Sequence, residues 1–101
     1  MSEHTLAVVH EEDGHRFAVT QEGATAELVY RTSGNQIIFT HTSVPQELEG
    51  RGIGSALVKT GLEYARQQAM EVVPLCPFVR SYIERKPEYQ SLVHKSSGGF
   101  A

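Results

Sequence analysis

The spacing of apolar residues changes once along the chain, and the change divides it into a strand-forming half and a helix-forming half. Up to Val44 the apolar positions recur mostly at every second residue. Leu6 to His10 is a short extended run. Phe17 and Val19 share one face of the segment His15 to Thr20. Ala24, Ala26, Leu28 and Tyr30 share one face of the next segment, with Thr25, Glu27 and Arg31 on the other. Gln36 to Val44 forms a fourth segment, and its start, Ile37-Ile38-Phe39, predicts burial on both faces. A period of two is that of a strand, because successive side chains point to opposite sides. The separators Asp13-Gly14, Glu22-Gly23 and Gly34-Asn35 are short turn signals. Four strands joined this way read as an antiparallel meander.

From Gly52 the spacing lengthens. Ile53, Ala56, Leu57, Thr60, Gly61, Tyr64, Ala65 and Gln68 fall on one face of a helix, with Lys59, Glu63, Arg66 and Gln67 opposite. Gly61 inside this helix costs about 1 kcal/mol relative to alanine; it is read as a small residue that lets the helix lie close on the sheet. Met70 to Pro77 predicts a fifth strand. Reached through a helix, it runs parallel to the fourth by a right-handed crossover. Pro74 has no amide hydrogen for the ladder, so pairing is expected to fail or splay near Pro74 and Pro77. Phe78 to Lys86 predicts a second helix with Phe78, Val79, Tyr82 and Ile83 on its inner face, ended by Pro87. Tyr89, Leu92 and Val93 suggest one more docked turn. The fold class is therefore α/β (α+β): four antiparallel strands plus a parallel fifth, with two helices packed on the sheet. It fills a single domain over residues 1–94, and 95–101 is expected to be a flexible tail.

The totals narrow the partners. The chain has 101 residues, 40% hydrophobic and 21% charged, enough for one small core. A net charge of -3 with no long basic run argues against nucleic acid and anionic membrane. The apolar runs are too short to span a bilayer, and Met1-Ser2-Glu3-His4 lacks the basic start of a signal peptide. The lone cysteine, Cys76, excludes an internal disulfide and suits a reducing, cytoplasmic setting. The histidines are scattered without metal-ligand spacing, so no metal is expected.

The stretch that carries chemistry is Glu49-Gly50-Arg51-Gly52-Ile53-Gly54-Ser55, where the fourth strand passes into the first helix. The first amides of a helix have no intrahelical partner and stand in the positive end of its dipole. Glycines let a phosphate approach that backbone with no Cβ in the way. A dinucleotide fold is excluded, because four strands precede the first helix. A P-loop is excluded too, because Ser55-Ala56 stands where Lys-Ser/Thr is required.

In this context the chain resembles the GNAT superfamily of acyl-CoA-dependent acyltransferases, and within it the very small GNAT-like proteins. The resemblance rests on Glu49-Gly50-Arg51-Gly52-Ile53-Gly54, on Phe39-Thr40-His41-Thr42 with Val44-Pro45, and on Val73-Pro74-Leu75-Cys76-Pro77-Phe78-Val79. Tyr82-Ile83-Glu84-Arg85 and Pro87-Glu88-Tyr89 extend it, and it spans Leu6 to Val93. It implies a GNAT-like core and acetyl-CoA as co-substrate. Gly50, Arg51, Gly52, Ile53, Gly54 and Ser55 would hold the pyrophosphate. The end of the fourth strand (His41, Thr42, Ser43, Val44) would pair with the pantetheine. The thioester would lie near Cys76 and Pro77. Two departures stand out. Glu49 occupies a position where the superfamily usually has Gln or Arg, which is tolerable if the carboxylate turns away toward Arg51. The two helices that usually follow the first strand are replaced by the Asp13-Gly14 turn, leaving the acceptor side open to a large or protein-borne amine or a partner subunit.

Each candidate for the chemistry has a plainer reading beside it. Cys76 is a thiolate nucleophile or a contact to the CoA sulfur, or else a small apolar filler. Tyr82 has the spacing of the GNAT tyrosine that protonates the departing thiolate, or is a core aromatic. His41 is a general base for the amine, or a hydrogen-bonded strand histidine. Arg51 reaches a CoA phosphate, or is a solvated loop arginine. Glu27 and Glu47 are read as solvated carboxylates. The function implied is acetyl transfer from acetyl-CoA to an unidentified amine. The alternative is a non-catalytic or regulatory acyl-CoA-binding protein, self-acylating at Cys76.

Overall fold

The computed structural model describes residues 7–94. Its five strands form one sheet in the order β1 to β5: β1 (Val9–Glu11), β2 (Arg16–Gln21), β3 (Ala24–Ser33), β4 (Gln36–Ser43) and β5 (Glu71–Pro74). The first four pair antiparallel, and β5 joins β4 in parallel, as the change of period predicted. Two helices, α1 (Ile53–Gln67) and α2 (Pro77–Arg85), lie on one face, with short 3₁₀ turns at Gln46–Leu48 and Pro87–Leu92. The expected tail, 95–101, lies outside the described residues, as does Leu6.

Pairing trims the first strand. β1 is held only where Val9, His10 and Glu11 face Ala18, Phe17 and Arg16, so Ala7 and Val8 lie before it. The following turn also departs from expectation. Its left-handed residue is His15 (φ 54), not Gly14, so β2 begins one residue late. Between β2 and β3 the turn is a two-residue one, with Glu22 (φ 54) and Gly23 (φ 81) both left-handed between paired Gln21 and Ala24. That conformation matches the twist of the flanking strands.

The alternation in β3 is fully expressed: Ala26, Leu28 and Tyr30 are buried toward α1. α1 answers with Ile53, Leu57, Val58, Gly61, Leu62 and Ala65; Val58 and Leu62, left off the expected face, are buried, while Gln68, placed on it, is exposed because the helix has ended at Gln67. A Cβ on Gly61 would lie 3.0 Å from Phe39 Cε1 and 3.1 Å from Leu28 Cδ2, so the glycine does permit the close approach. α1 ends on Ala69 in the left-handed region (φ 56). There the Met70 amide bonds the Ala65 carbonyl (2.9 Å) and the Ala69 amide bonds that of Arg66 (3.2 Å). This is a Schellman closure with alanine in the glycine position.

β5 is shorter than expected, and α2 starts one residue early, with Pro77 in its first turn where a missing amide hydrogen costs nothing. The 3₁₀ turn at Pro87–Leu92 docks as foreseen. Tyr89 is buried and its hydroxyl donates to Glu63 (2.6 Å) beneath the Arg66 guanidinium; burial and that hydrogen bond push the Tyr89 phenol up to about 12. At the far edge His10 stacks on Phe17 (4.1 Å between rings), meets Tyr64 edge-on and hydrogen-bonds the Tyr30 hydroxyl through Nε2 (2.6 Å).

Among the described residues, no helix packs on the opposite face of the sheet. Val29, Ile38 and Val73 point there, half-buried and outside the core cluster, so the burial on both faces expected for Ile37-Ile38-Phe39 is not met. Glu27 also lies on that face, and it is not a solvated carboxylate. Arg16 bridges it (2.7 Å) to Glu11 (2.8 Å), and this hydrogen bond holds the Glu11 carboxyl below its ordinary range.

Candidate functional site

From the end of β4 the chain crosses a 3₁₀ turn and enters α1 through Glu49 to Gly52. Leu48 is fully buried and anchors the turn to the core. Gly50 (φ 83) and Gly52 (φ 76) are both left-handed, a conformation that strains any residue with a side chain. A Cβ built on either would meet nothing within 4 Å, so the space before this backbone is open. Gly52 caps α1 with no side-chain hydrogen bond, and the first amide bonded within the helix is that of Ala56, to Gly52 (3.0 Å). The amides of Ile53, Gly54 and Ser55 are therefore left without helical acceptors.

These amides border a cleft of about 390 Å³ lined by Thr42, Val44, Leu48, Glu49, Gly50, Gly52, Ile53, Gly54, Ser55 and Phe78. Phe78 was expected on the inner face of α2. It is instead 39% exposed and walls the cleft, because it sits in the first turn of α2 directly over Gly54. A Cβ on Gly54 would come within 2.9 Å of the Phe78 ring. Thus the glycines have different tasks: Gly50 and Gly52 shape the loop, and Gly54 makes room for Phe78. Leu48 and Phe78 were missed as cleft residues. The only signals were an apolar residue within Gln46-Glu47-Leu48-Glu49 and an aromatic two residues after Cys76.

The splay foreseen at the prolines begins at Pro74. The β4–β5 register ends with Phe39 opposite Pro74, and the amides of Leu75 (3.1 Å) and Cys76 (3.0 Å) then converge on the one carbonyl of Phe39. Beyond that point β4 continues through Ser43 with no partner on this side among the described residues.

A feature unseen in the sequence sets which residues face the gap. β4 carries a bulge at Thr40: Tyr30 pairs with Phe39, but Val29 pairs with His41. One extra residue reverses the facing of everything after it. Simple alternation would place His41 on the helix side with Phe39. The bulge places Thr42 there instead. Thr42 Oγ1 lies 3.2 Å from Cys76 Sγ, so a hydroxyl and a thiol bridge the mouth of the splay. Cys76 is buried (4% exposed) at the start of α2.

The other sequence candidates are not all brought to this place. His41 is exposed on the opposite face, beside Val29. Ser43 is half-buried opposite Glu27 on that same face, whereas Val44 lines the cleft. Pro77 is exposed at the head of α2. Tyr82 is outside the cleft lining. Its ring packs 6.2 Å from that of Tyr89 with the Arg85 guanidinium above it, and burial raises its phenol. Arg51 does not turn to Glu49. Its guanidinium bonds Gln21 (3.0 Å) and Glu22 (3.2 Å) on the β2–β3 turn, which lies close in space but distant in sequence. Among the described residues, no group of three His, Cys, Asp or Glu side chains is placed to hold a metal ion.

An uncapped, glycine-opened helix start beside two diverging parallel strands is the arrangement of an acyltransferase-like domain. Comparison with known proteins agrees with that class. A family model described as GCN5-related N-acetyl-transferase matches residues 16–92, and the chain belongs to this family, among its small members. Among its relatives is Protein NATD1 of Gallus gallus, 29% identical over 92 residues that cover 88% of this chain and 84% of that protein. Protein NATD1 of Mus musculus is 29% identical over 90 residues, covering 86% and 82%. A GCN5-like protein from Staphylococcus aureus, solved in solution by NMR, shares the fold at a TM-score of 0.71 and 29% identity, over 93% of each chain. Family membership carries an acetyltransferase-like domain, with acetyl-CoA and an amine acceptor as its general chemistry.

Proposed function

We propose that this protein is an N-acetyltransferase that holds acetyl-CoA along the Gly50–Ser55 cradle and the free edge of β4 and transfers the acetyl group to an amine. The observation that carries the reading is the continuity of the site. The uncapped amides of Ile53 to Ser55, the cleft lined by Thr42 and Val44, and the Thr42–Cys76 pair at the splay follow one another without a break.

The residues present suit such a co-substrate. Loop amides bind phosphate without needing a basic side chain. The unpaired edge of β4 after Phe39 offers backbone groups to the amides of a pantetheine arm, and its N–H groups would stabilise charge on the thioester oxygen as the amine attacks. A C–N bond forms, the C–S bond breaks, and the proton lost by the amine goes to the departing thiolate. In this reading Cys76 and Thr42, paired at the mouth of the splay, stand where that thiolate would leave. His41, on the far face, and Tyr82, packed on Tyr89, are less well placed for a direct part. The main gain is in positioning.

The test is acetyl-CoA turnover over a broad amine panel, followed as release of free thiol, with Cys76→Ala as the comparison. Tight CoA binding with no turnover on any amine would refute the enzyme reading. The open sheet face favours a second reading, since among the described residues no element beside β1 and β2 builds an acceptor pocket there. In it the protein binds acyl-CoA without an acceptor and carries the acyl group on Cys76. Intact-protein mass spectrometry separates the two: a stable one-acetyl gain that vanishes in Cys76→Ala belongs to the second.

A further inference from the structure

Glu49 is the sole ionisable residue among those lining the cleft. It is exposed, and among the described residues no ion pair or side-chain hydrogen bond engages it. The nearest cation in sequence, Arg51, is occupied elsewhere. Its NH1 reaches Gln21 Oε1 (3.0 Å) and Glu22 Oε2 (3.2 Å), and its NH2 reaches Glu22 Oε1 (3.3 Å). The next basic residue along α1, Lys59, is exposed and outside the lining. The cradle thus offers neutral amides and a helix dipole to a phosphate, and one full negative charge to everything around it.

We infer that Glu49 is a specificity residue that makes the cleft rank pantetheine ligands by their phosphate charge, to the disadvantage of CoA. The inference rests on the proposed pantetheine-nucleotide reading of the cleft. Amides at a helix start can satisfy one phosphate group through hydrogen bonds. A second or third phosphate gains little from those same amides and meets the carboxylate across solvent. At separations of a few ångströms in a watery cleft, such a like-charge pair is worth a few-fold in affinity, and salt screens it. Ligands whose arm carries fewer phosphate charges escape the penalty. Dephospho-CoA lacks the ribose phosphate of CoA, and pantetheine lacks phosphate altogether, so the three form a graded series of probes.

The experiment measures calorimetric affinities of CoA, dephospho-CoA and pantetheine for the wild-type protein, Glu49→Gln and Glu47→Gln, at low and high salt. Glu47 is exposed in the 3₁₀ turn that Glu49 closes but does not line the cleft, so its variant reports any general effect of lost charge. Glu49→Gln is expected to tighten CoA by about fivefold at low salt, dephospho-CoA by less, and pantetheine not at all. The gain should shrink at high salt, and Glu47→Gln should change nothing. Equal tightening of all three ligands, or the same gain in Glu47→Gln, overturns the charge filter. So does CoA binding that Glu49→Gln leaves unaltered; that result leaves the pantetheine reading standing. No binding of any probe to either form overturns the pantetheine reading, and the filter falls with it.

Discussion

Replacing Gly61 with alanine sets two effects of similar size against each other. Inside an exposed helix the change gains about 1 kcal/mol, because alanine loses less backbone entropy. Here the new methyl would sit 3.0 Å from Phe39 Cε1, 3.1 Å from Phe39 Cζ and 3.1 Å from Leu28 Cδ2. Carbon atoms pack comfortably at about 3.5–4.0 Å, so each neighbour must withdraw by roughly half an ångström. Both are fully buried and hemmed in by the core, with no solvent side to move into. Forcing an extra methyl into such a core costs about 1–3 kcal/mol. The packing cost wins, and Gly61→Ala is expected to lose about 1 kcal/mol net. Urea denaturation followed by circular dichroism should show a lower midpoint with an unchanged slope. In a Phe39→Leu background the methyl gains room, so the two changes should couple favourably by about 1 kcal/mol in a double-mutant cycle. A stabilisation of about 1 kcal/mol in Gly61→Ala alone, the full helix gain, would refute the packing argument, as would zero coupling with Phe39.

Two further outcomes follow from the backbone and from His10. Ala69→Gly relieves a left-handed alanine (φ 56) at the Schellman closure of α1 and should stabilise by about 0.5–1 kcal/mol, read as a rise of a few degrees in Tm. Burial holds the His10 imidazole below its ordinary value of 6.5, with Glu12 opposing. Below that pH the unfolded chain binds more protons than the folded one, so stability present above it is lost as pH falls through the folded value. His10→Gln should flatten Tm against pH in that window, and an unchanged slope would assign the loss to other groups.

How much of this was legible in the sequence depends on which residues a feature needs. The face of β3 and the Ile53, Leu57, Gly61 and Ala65 ridge of α1 were readable because each rests on a local period, by twos in the strand and by fours in the helix, whereas Val58 and Leu62 beside that ridge were not. The splay was readable because Pro74 lacks a ladder donor whatever surrounds it. The bulge at Thr40 was not, since no residue type demands it, and it moved Thr42 to the site and His41 away. Arg51, Glu27 and Phe78 were misjudged for the same reason. Their partners, Glu22, Arg16 and Gly54, are brought to them only by the finished fold. Two left-handed residues, His15 and Ala69, hid because glycine was the expected occupant of such positions.

The β4–β5 junction also sets an order in time. β1 to β4 are neighbours in sequence, and their turns close over a few residues, so the meander can assemble from local encounters. β5 meets β4 only after α1 has been made and laid down, and such non-local closure is the slower event. The splay, the Thr42–Cys76 bridge and the Phe78 wall all come into being at that last step. On a ribosome, a chain paused before Glu71 would present the bare edge of Ile37-Ile38-Phe39 to its neighbours. In the finished protein, amides of β5 and α2 should exchange with solvent through partial openings that leave β2 and β3 intact. The half of the molecule that carries the cleft would then be the last part to fold and the first to open.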